Sequence, residues 1–292
     1  MIDRYHLRYF LAVIDQGNFS KAAAVCNVSQ PTLSVGISKL ETTLGRTLFH
    51  RTNRRVEITD AGARLATYAR RIESDFAHAE AAVAGLAMPN TLRIGILVTI
   101  PKVWIEQYLL EHRVSGKNDR VEIVEGRERE LQDRLARGRI DIALTILRPR
   151  TLGEQDLLFS EGYSLAMAST HPLADRNCIA AEDLANEPMI VRRRCELLSE
   201  TSQYFTARGV RPFFPARTTS DDRALGYVRA GLGVTVMPDC FTQAGIVRPL
   251  LENFHFTRDI GLLYSDTLDK DEIRSRSTIR DLVTSIERAR GA

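Results

Sequence analysis

The ten residues from Arg46 to Arg55 contain four arginines and His50 and no carboxylate. Such a run creates a local positive field suited to a polyanion. Upstream of it, Ser29, Gln30, Pro31, Thr32, Ser34, Val35, Ser38 and Lys39 offer hydroxyl, amide, methyl and ammonium groups for DNA contact, and Gln30, Pro31, Thr32, Ser34 and Val35 would sample base edges in a major groove. In the second half of the chain, Arg192, Arg193 and Arg194 stand directly before Cys195. Three cations at a helix start would hold an anionic ligand, or would lower the thiol pKa and favour the reactive thiolate.

Catalytic arrangements are missing. The sequence contains no H-E-x-x-H, G-x-S-x-G or G-x-x-x-x-G-K-[ST], and Gly231-Leu232-Gly233 lacks a third glycine because Val236 stands in its place. The six histidines are dispersed, with no pair at metal-ligand spacing on a helix. No catalytic residue, metal or cofactor is expected, and the enzyme class is set aside.

The elements that must position these groups are bounded by composition. A chain of 292 residues with 44% hydrophobic and 26% charged side chains has material for about two domains with real cores, and is neither disordered nor fibrous. The mean hydropathy is −0.18, and the longest apolar stretch, Leu92 to Ile105, is broken by Pro101 and Lys102. No membrane span or secretory signal is expected, which places the protein in the cytoplasm. Cys26, Cys178, Cys195 and Cys240 are scattered without a C-x-x-C pair, so reduced thiols are expected. The net charge of +3 hides an asymmetry: the first 58 residues carry eight basic against four acidic side chains, and the remainder is nearly balanced.

Leu7, Phe10, Leu11 and Ile14 recur at helical spacing and are followed by Gly17, so a first helix ends there. A second helix begins at once with Ser20 as its cap and Ala22, Ala23 and Ala24 as a close-packing face. Ser29 then caps a third helix with Pro31 in its first turn, and Leu33, Ile37, Leu40 and Leu44 form its buried stripe. Two short helices joined by a tight turn, the second free on its polar face, have the geometry of a major-groove reader. Leu48, Phe49, Val56 and Ile58 predict two short strands around Thr52, Asn53, Arg54 and Arg55, a wing whose cations, with Arg51, would meet phosphates.

Residues 1–62 resemble the winged helix-turn-helix of the LysR-type transcriptional regulators. The resemblance is carried by Leu7-Arg8-Tyr9-Phe10, Phe19-Ser20-Lys21-Ala22-Ala23, Ser29-Gln30-Pro31-Thr32-Leu33-Ser34, Ile37, Leu40-Glu41, Leu44-Gly45, Leu48-Phe49-His50-Arg51 and Thr59-Asp60-Ala61-Gly62. The family commonly has a basic or amide side chain just after the residue matching Ser34 and two before that matching Leu40. Val35, Gly36 and Ser38 stand in that region here, so base preference does not transfer.

From Asp60 to about Met88 a heptad seam runs through Leu65, Ala69, Ile72, Phe76, Ala79, Val83 and Leu86. A stripe of about four heptads, roughly 40 Å at 1.5 Å per residue, calls for a partner chain. The alternative is packing on the chain's own C-terminal domain, and the resemblance implies a dimerising linker helix. The expected divisions are 1–59, 60–89 and 90–292.

Beyond Met88, Pro89 and Asn90, strand and helix signals alternate, which implies a mainly parallel sheet with helices on both faces. A similar set after Gly162, including a helix from Cys195 to Arg208, suggests two lobes. Leu92 to Gly95, Leu131, Leu135, Gly138, Asp141, Ile142, Ala143 and Gly231-Leu232-Gly233-Val234 with Pro238 resemble the family's effector-binding domain, which is similar to the bilobed periplasmic solute-binding proteins. The overall fold class expected is α/β: a winged helix-turn-helix, a long linker helix and a bilobed effector domain.

In open α/β lobes, ligands sit at the C-terminal ends of parallel strands, close to helix N-termini. That rule selects Thr99, Ile100, Thr145, Arg194, Cys195 and Thr219 as effector-binding candidates. Thr99 could instead only cap its helix, and Thr219 could belong to a capped start at Ser220. No second cysteine follows Cys195 within the next helix, which argues against an intramolecular disulfide switch.

The reading is a DNA-binding transcriptional regulator controlled by a small, anionic effector held between two lobes. Its expected partners are double-stranded DNA with an inverted-repeat operator, the effector, and copies of itself as a homodimer or homotetramer, with RNA polymerase a further candidate. Two alternatives stay open: a thiol-responsive regulator using Cys195, and a cytoplasmic solute-binding protein whose N-terminal helices serve only self-association.

Overall fold

The protein is described from a computed structural model covering residues 1–51, 56–84, 91–114, 120–149, 153–265 and 270–291, with the side chains of Arg51, His78, Ala82 and Lys270 left aside. Thr52, Asn53, Arg54 and Arg55 of the expected wing tip, and Leu86 to Asn90 at the end of the linker, lie outside the described residues. No helix among the described residues is long and apolar enough to cross a membrane.

The N-terminal head comprises α1 (Arg4–Gln16), α2 (Phe19–Val25), α3 (Gln30–Leu44), the antiparallel strands β1 (Phe49–Arg51) and β2 (Val56–Ile58), and the start of α4 (Asp60–Val83). Gly17 ends α1 with φ +63° and Gly45 ends α3 at the same angle, a conformation that glycine adopts without a Cβ penalty. The cap of α2 is Asn18, whose side chain accepts from Ser20 and Lys21 N–H, rather than Ser20. Asn18 sits one residue ahead of the helix with extended backbone and so can reach two free N–H groups, whereas Ser20 is already inside the first turn. Leu7, Phe10, Val13, Leu33, Ile37 and Leu40 form the core, with Ala66 and Ala69 of α4 closing it. The Phe49 ring lies 5.3 Å from Phe10 and 5.8 Å from Phe19, anchoring the wing to the helices.

Gly62 marks where α4 crosses the wing. A Cβ built there would lie 2.4 Å from the Leu48 carbonyl oxygen and 2.7 Å from Ile58. The nearest obstacle is backbone and cannot swing aside, so Gly62→Ala is expected to destabilise the head by about 1–3 kcal/mol, the usual range for overpacking. Thermal denaturation of the two proteins side by side checks this; equal midpoints would rule it out.

The C-terminal domain begins with β3 (Thr91–Leu97), α5 (Lys102–Val114), β4 (Arg120–Gly126), α6 (Glu128–Ala136) and β5 (Ile142–Leu147), followed by the long β6 (Gln155–Ala168). Next come β7 (Cys178–Ile179), β8 (Ile190–Arg192), α7 (Leu198–Ala207), β9 (Ala216–Thr218), α8 (Asp221–Arg229), β10 (Thr235–Pro238), β11 (Ile246–Val247), β12 (Leu250–Leu251) and β13 (Thr257–Tyr264). Two helices close the chain, α9 (Lys270–Ser275) and α10 (Ser277–Gly291).

The main sheet runs β10-β6-β13-β5-β3-β4, with β11 also on β6. It is mixed rather than mainly parallel: β3 is parallel to β4 and β5, while β13 and β6 enter antiparallel. The cause is the 14-residue β6, which pairs with β13 through one half and with β10 and β11 through the other. It therefore crosses from the first lobe into the second, and β13 makes the return crossing beside it. The strand expected over Tyr163 to Ala168 is only its second half.

Each lobe has its own core, around Leu92, Ile94, Ile142 and Leu144 in the first and around Leu165, Met167, Leu184 and Val234 in the second. All six residues of β5 are buried, in keeping with a strand flanked by β3 and β13 and covered on both faces. The helix expected from Cys195 begins at Leu198, because the chain turns through 193–197 first.

Candidate nucleic-acid interface and effector cleft

Ser29 caps α3, accepting from Thr32 N–H at 3.2 Å and sharing a 2.7 Å hydroxyl contact with the Thr32 side chain. That local bond orders the N-terminal end of the helix. Gln30, Pro31, Thr32, Val35, Ser38 and Lys39 are exposed and Ser34 is half-buried, so these groups share the side of α3 opposite Leu33, Ile37 and Leu40. Gly36 belongs to the packed side instead, where a Cβ would lie 2.7 Å from the Tyr9 ring of α1. Its smallness serves helix packing.

Beside α3, Arg46, His50 and Arg64 surround a hollow of about 440 Å³ between the wing and the start of α4. Arg64 was not among the sequence candidates, because it lies beyond the basic run on a different element and only folding brings it alongside. Glu41 accepts from Leu48 and Phe49 N–H at 2.7 and 3.4 Å, tying α3 to β1, while Asp60 also lines the hollow and Glu57 is the cross-strand partner of His50. Arg51 lies on β1, while Thr52, Arg54 and Arg55 are outside the described residues.

Between the lobes, a cleft of about 530 Å³ is lined by Arg127, Arg129, Arg148, Arg193 and Arg194 against two carboxylates, Glu128 and Glu196. Glu128 receives both arms of Arg148, at 2.8 and 2.9 Å. Among the described residues, Arg127, Arg129, Arg193 and Arg194 form no ion pair with an acid, and all four are exposed. Arg127 and Arg129 flank the start of α6, where the helix dipole adds to their field. Their signal was present in the sequence as two arginines at a strand-to-helix junction, although Glu128 and Glu130 beside them mask it as balanced charge.

Of the six effector candidates, Arg194 and Cys195 line the cleft, and Thr99, Ile100 and Thr145 do not. Ile100 is part of the first lobe's core. Thr145 is fully buried, and its hydroxyl has no hydrogen-bond partner among the described residues. Thr219 is exposed on the loop before α8 and is not among the cleft-lining residues.

Thr99 is 1% exposed and held by Arg258 of β13, which donates to its hydroxyl at 3.0 Å and to its carbonyl at 3.1 Å. The same guanidinium donates to Glu161 at 2.8 Å and pairs with Glu196. Tyr163 donates its hydroxyl to Glu196 at 2.8 Å. Glu161 and Arg258 are direct cross-strand partners on β6 and β13, where both strands pass between lobes. Arg258 thus links Thr99 of the first lobe to Glu196 of the second at the crossing point. Sequence reading missed it because Glu161, Glu196 and Arg258 are far apart in the chain, and only the crossing strands juxtapose them.

Burial pushes the Glu196 carboxyl up, but Arg258, a backbone N–H and Tyr163 outweigh it and hold the pKa below 4.5. At Cys195 the balance goes the other way. Burial raises the thiol pKa above its ordinary 9.0, and Arg192, at 3.5 Å, only partly opposes it. Arg192 is itself buried and bound to Asp221 at 2.7 and 2.6 Å, and Arg193 and Arg194 are exposed. The thiolate-favouring environment expected from three adjacent arginines is therefore absent: one cation is already neutralised and two face solvent. Among the described residues no three His, Cys, Asp or Glu side chains are grouped to hold a metal.

Comparison with known proteins finds two family matches along the chain. Residues 5–63 match the description "Bacterial regulatory helix-turn-helix protein, lysR family", and residues 88–270 match "LysR substrate binding domain". A hydrogen peroxide-inducible genes activator of Dickeya chrysanthemi is 32% identical over 237 residues, covering 80% of this chain and 77% of its own. The DNA-binding transcriptional dual regulator OxyR of Escherichia coli is 31% identical over 241 residues, covering 80% and 77%. A full-length OxyR variant from Pseudomonas aeruginosa shares the fold with a TM-score of 0.65 at 23% identity, over 98% of this chain and 95% of that one. With an exposed recognition helix at one end and a two-lobed, arginine-lined cleft at the other, this chain belongs to the LysR family of DNA-binding transcriptional regulators with an effector-binding domain.

Proposed function

We propose that the protein is a cytoplasmic regulator in which α3 reads an inverted-repeat operator and a small polyanion in the interlobe cleft sets the outcome. Gln30, Pro31, Thr32, Ser34, Val35 and Ser38 sample base edges, while Ser29 and Lys39, the wing residues Arg51, Thr52, Arg54 and Arg55, and the pair Arg46 and Arg64 contact phosphates. The functional regions are the head at 1–59, the linker at 60–89 and the regulatory domain at 90–292. Linker helices join two heads, two such pairs make a homotetramer, and RNA polymerase is the downstream partner.

The observation that carries the effector assignment is the set of four cleft arginines that form no ion pair among the described residues. Like charges around one cleft repel, and a ligand with two or more anionic groups relieves the repulsion. Calorimetric titration of the full chain with citrate, succinate and inorganic phosphate is expected to show saturable binding, at least tenfold weaker in Arg129→Gln and in Arg194→Gln. No saturation with any of the three, or equal affinity in both variants, would sink the assignment.

A second reading is favoured by the name of the Dickeya relative, a hydrogen peroxide-inducible genes activator. In this chain the candidate thiol is Cys195, which lines the cleft. Its raised pKa keeps it protonated at neutral pH, and the thiol is a poor nucleophile. Alkylation of Cys195 is therefore expected to accelerate only above about pH 9, and peroxide is expected to leave operator binding of the wild type and of Cys195→Ser alike. A peroxide-dependent change in binding that disappears in Cys195→Ser would establish the second reading instead.

A further inference from the structure

The second lobe contains a cavity of about 570 Å³ on the far side of the 193–197 turn from the interlobe cleft. One wall is the face of α7 carrying Leu198, Thr201, Ser202, Phe205 and Thr206, at the spacing of successive helical turns. The opposite wall is β8 with Thr235 and Val236 of β10, and the third is the irregular segment Val210 to Phe214. The late start of α7 and the loop after Gly209, whose φ is +72°, leave the helix standing off the strands. The volume falls within the roughly 300–1,000 Å³ range of small-molecule sites.

Its chemistry differs from that of the cleft. Ile190, Leu198, Phe205, Val210, Pro212 and Val236 make the interior mainly apolar. Thr201 lines the cavity, and its hydroxyl is buried without a hydrogen-bond partner among the described residues, although a buried polar group ordinarily has one. Thr235, by contrast, is satisfied by the Ile190 carbonyl at 2.8 Å. At the rim Arg211 and Arg217 are exposed, Arg217 lies 5.5 Å from the Phe214 ring, and Phe214 is 39% exposed. An apolar interior, one unsatisfied hydroxyl and a cationic rim are complementary to a molecule with an apolar body and a single anionic end.

We propose that this cavity is a second ligand site, distinct from the interlobe cleft, for an amphiphilic monoanion such as a medium-chain carboxylate. The chain or ring fills the space between α7 and β8, and the carboxylate emerges between Arg211 and Arg217. Arg193 and Cys195 line both cavities, so the bound molecule rests against the turn that forms the cleft wall.

The test is calorimetric titration of the full chain with hexanoate, octanoate and decanoate below their micellar concentrations, with 1-octanol as the uncharged control. Each added methylene buried in an apolar site contributes about fourfold in affinity, so decanoate is expected to bind far more tightly than hexanoate. Arg211→Gln combined with Arg217→Gln is expected to weaken octanoate at least tenfold and leave 1-octanol unchanged. Ser202→Trp, at an exposed helix position that lines the cavity, is expected to abolish both while far-ultraviolet circular dichroism stays that of the wild type. Arg129→Gln in the cleft is expected to change neither. Absence of saturable binding, affinity independent of chain length, or full octanoate affinity in the double arginine variant would overturn the site.

Discussion

Arg258→Met is expected to destabilise the protein by about 3–5 kcal/mol at neutral pH, because it leaves Glu161 and Glu196 buried without their shared cation. Arg258 is 4% exposed, so water cannot take its place at the lobe crossing. The acid dependence follows from the sign of the Glu196 shift. In the wild type its pKa is depressed, so its stabilising contribution is complete above the unfolded value near 4.5 and is lost as pH falls through the lower folded value. Without Arg258 the largest influence opposing burial is gone, and although the backbone N–H, Tyr163 and Arg192 remain, the balance moves towards the protonated acid. The folded variant then takes up a proton, and its deficit relative to wild type narrows between pH 7 and 5. Urea denaturation of both proteins at pH 7 and pH 5 measures this. Adding Glu161→Gln and Glu196→Gln to Arg258→Met should recover a large part of the loss, since the two carboxylates that Arg258 balanced are then uncharged. A deficit that is small at pH 7, or that widens on acidification, would show that the triad does not hold the lobes together.

Ile72→Glu combined with Phe76→Glu is expected to convert the protein to single chains and to reduce affinity for a palindromic operator at least a hundredfold. Ile72 is 37%, Phe76 45%, Tyr68 56% and Val83 92% exposed, an apolar line on α4 that the chain itself leaves open. The N-terminal part of the same helix is satisfied internally: Ala66 and Ala69 are fully buried in the head core, and Arg4 pairs with Glu73 at 2.9 Å while lying 4.2 Å from the Phe76 ring. The substitutions leave Ala66 and Ala69 in the head core, and Phe76→Glu exchanges the ring beside Arg4 for a carboxylate while the Arg4–Glu73 pair remains. Joining two heads turns the second binding event into an intramolecular one, worth a factor of about 10²–10⁴, and that factor is what dissociation removes. Sedimentation equilibrium together with a gel-shift titration decides the matter. A variant that still sediments as a dimer would mean that this line is not the pairing surface.

The head was nearly complete in the sequence. Leu7, Phe10, Leu33, Ile37 and Leu40 announce their helices by spacing, Gly17 and Gly45 announce the helix ends, and Ser29 with Pro31 announces the start of α3. These signals are local: a cap or a stripe acts within one or two helical turns, so adjacent residues record it. The open face of α3 is as legible as its buried face, because the one is the complement of the other. The cap of α2 was misplaced by two residues, since Ser20 and Asn18 both have suitable side chains and only the backbone angle distinguishes them.

The cleft was less legible. The strand-end rule led to Thr99 and Thr145, which the fold buries, and to Arg194 and Cys195, which it brings to the cleft. Thr99 has the expected position at the end of β3, but its hydroxyl is taken by an arginine 159 residues away. Cys195 has the expected neighbours, but Arg193 and Arg194 are exposed and Arg192, which reaches the sulfur at 3.5 Å, is shared with Asp221 and does not outweigh burial.

By itself the sequence determined the elements, the partition into a basic head, a linker and an α/β domain, and the family, because those are recorded in periodicities and motifs that neighbouring residues share. Tertiary structure alone decided which charges act. Arg192 is neutralised by Asp221, Arg258 is committed to two carboxylates, and four cleft arginines form no ion pair among the described residues. The physical reason is that the effect of a charge depends on distance and burial rather than on sequence separation, and both quantities are set only when β6 and β13 bring the two lobes together.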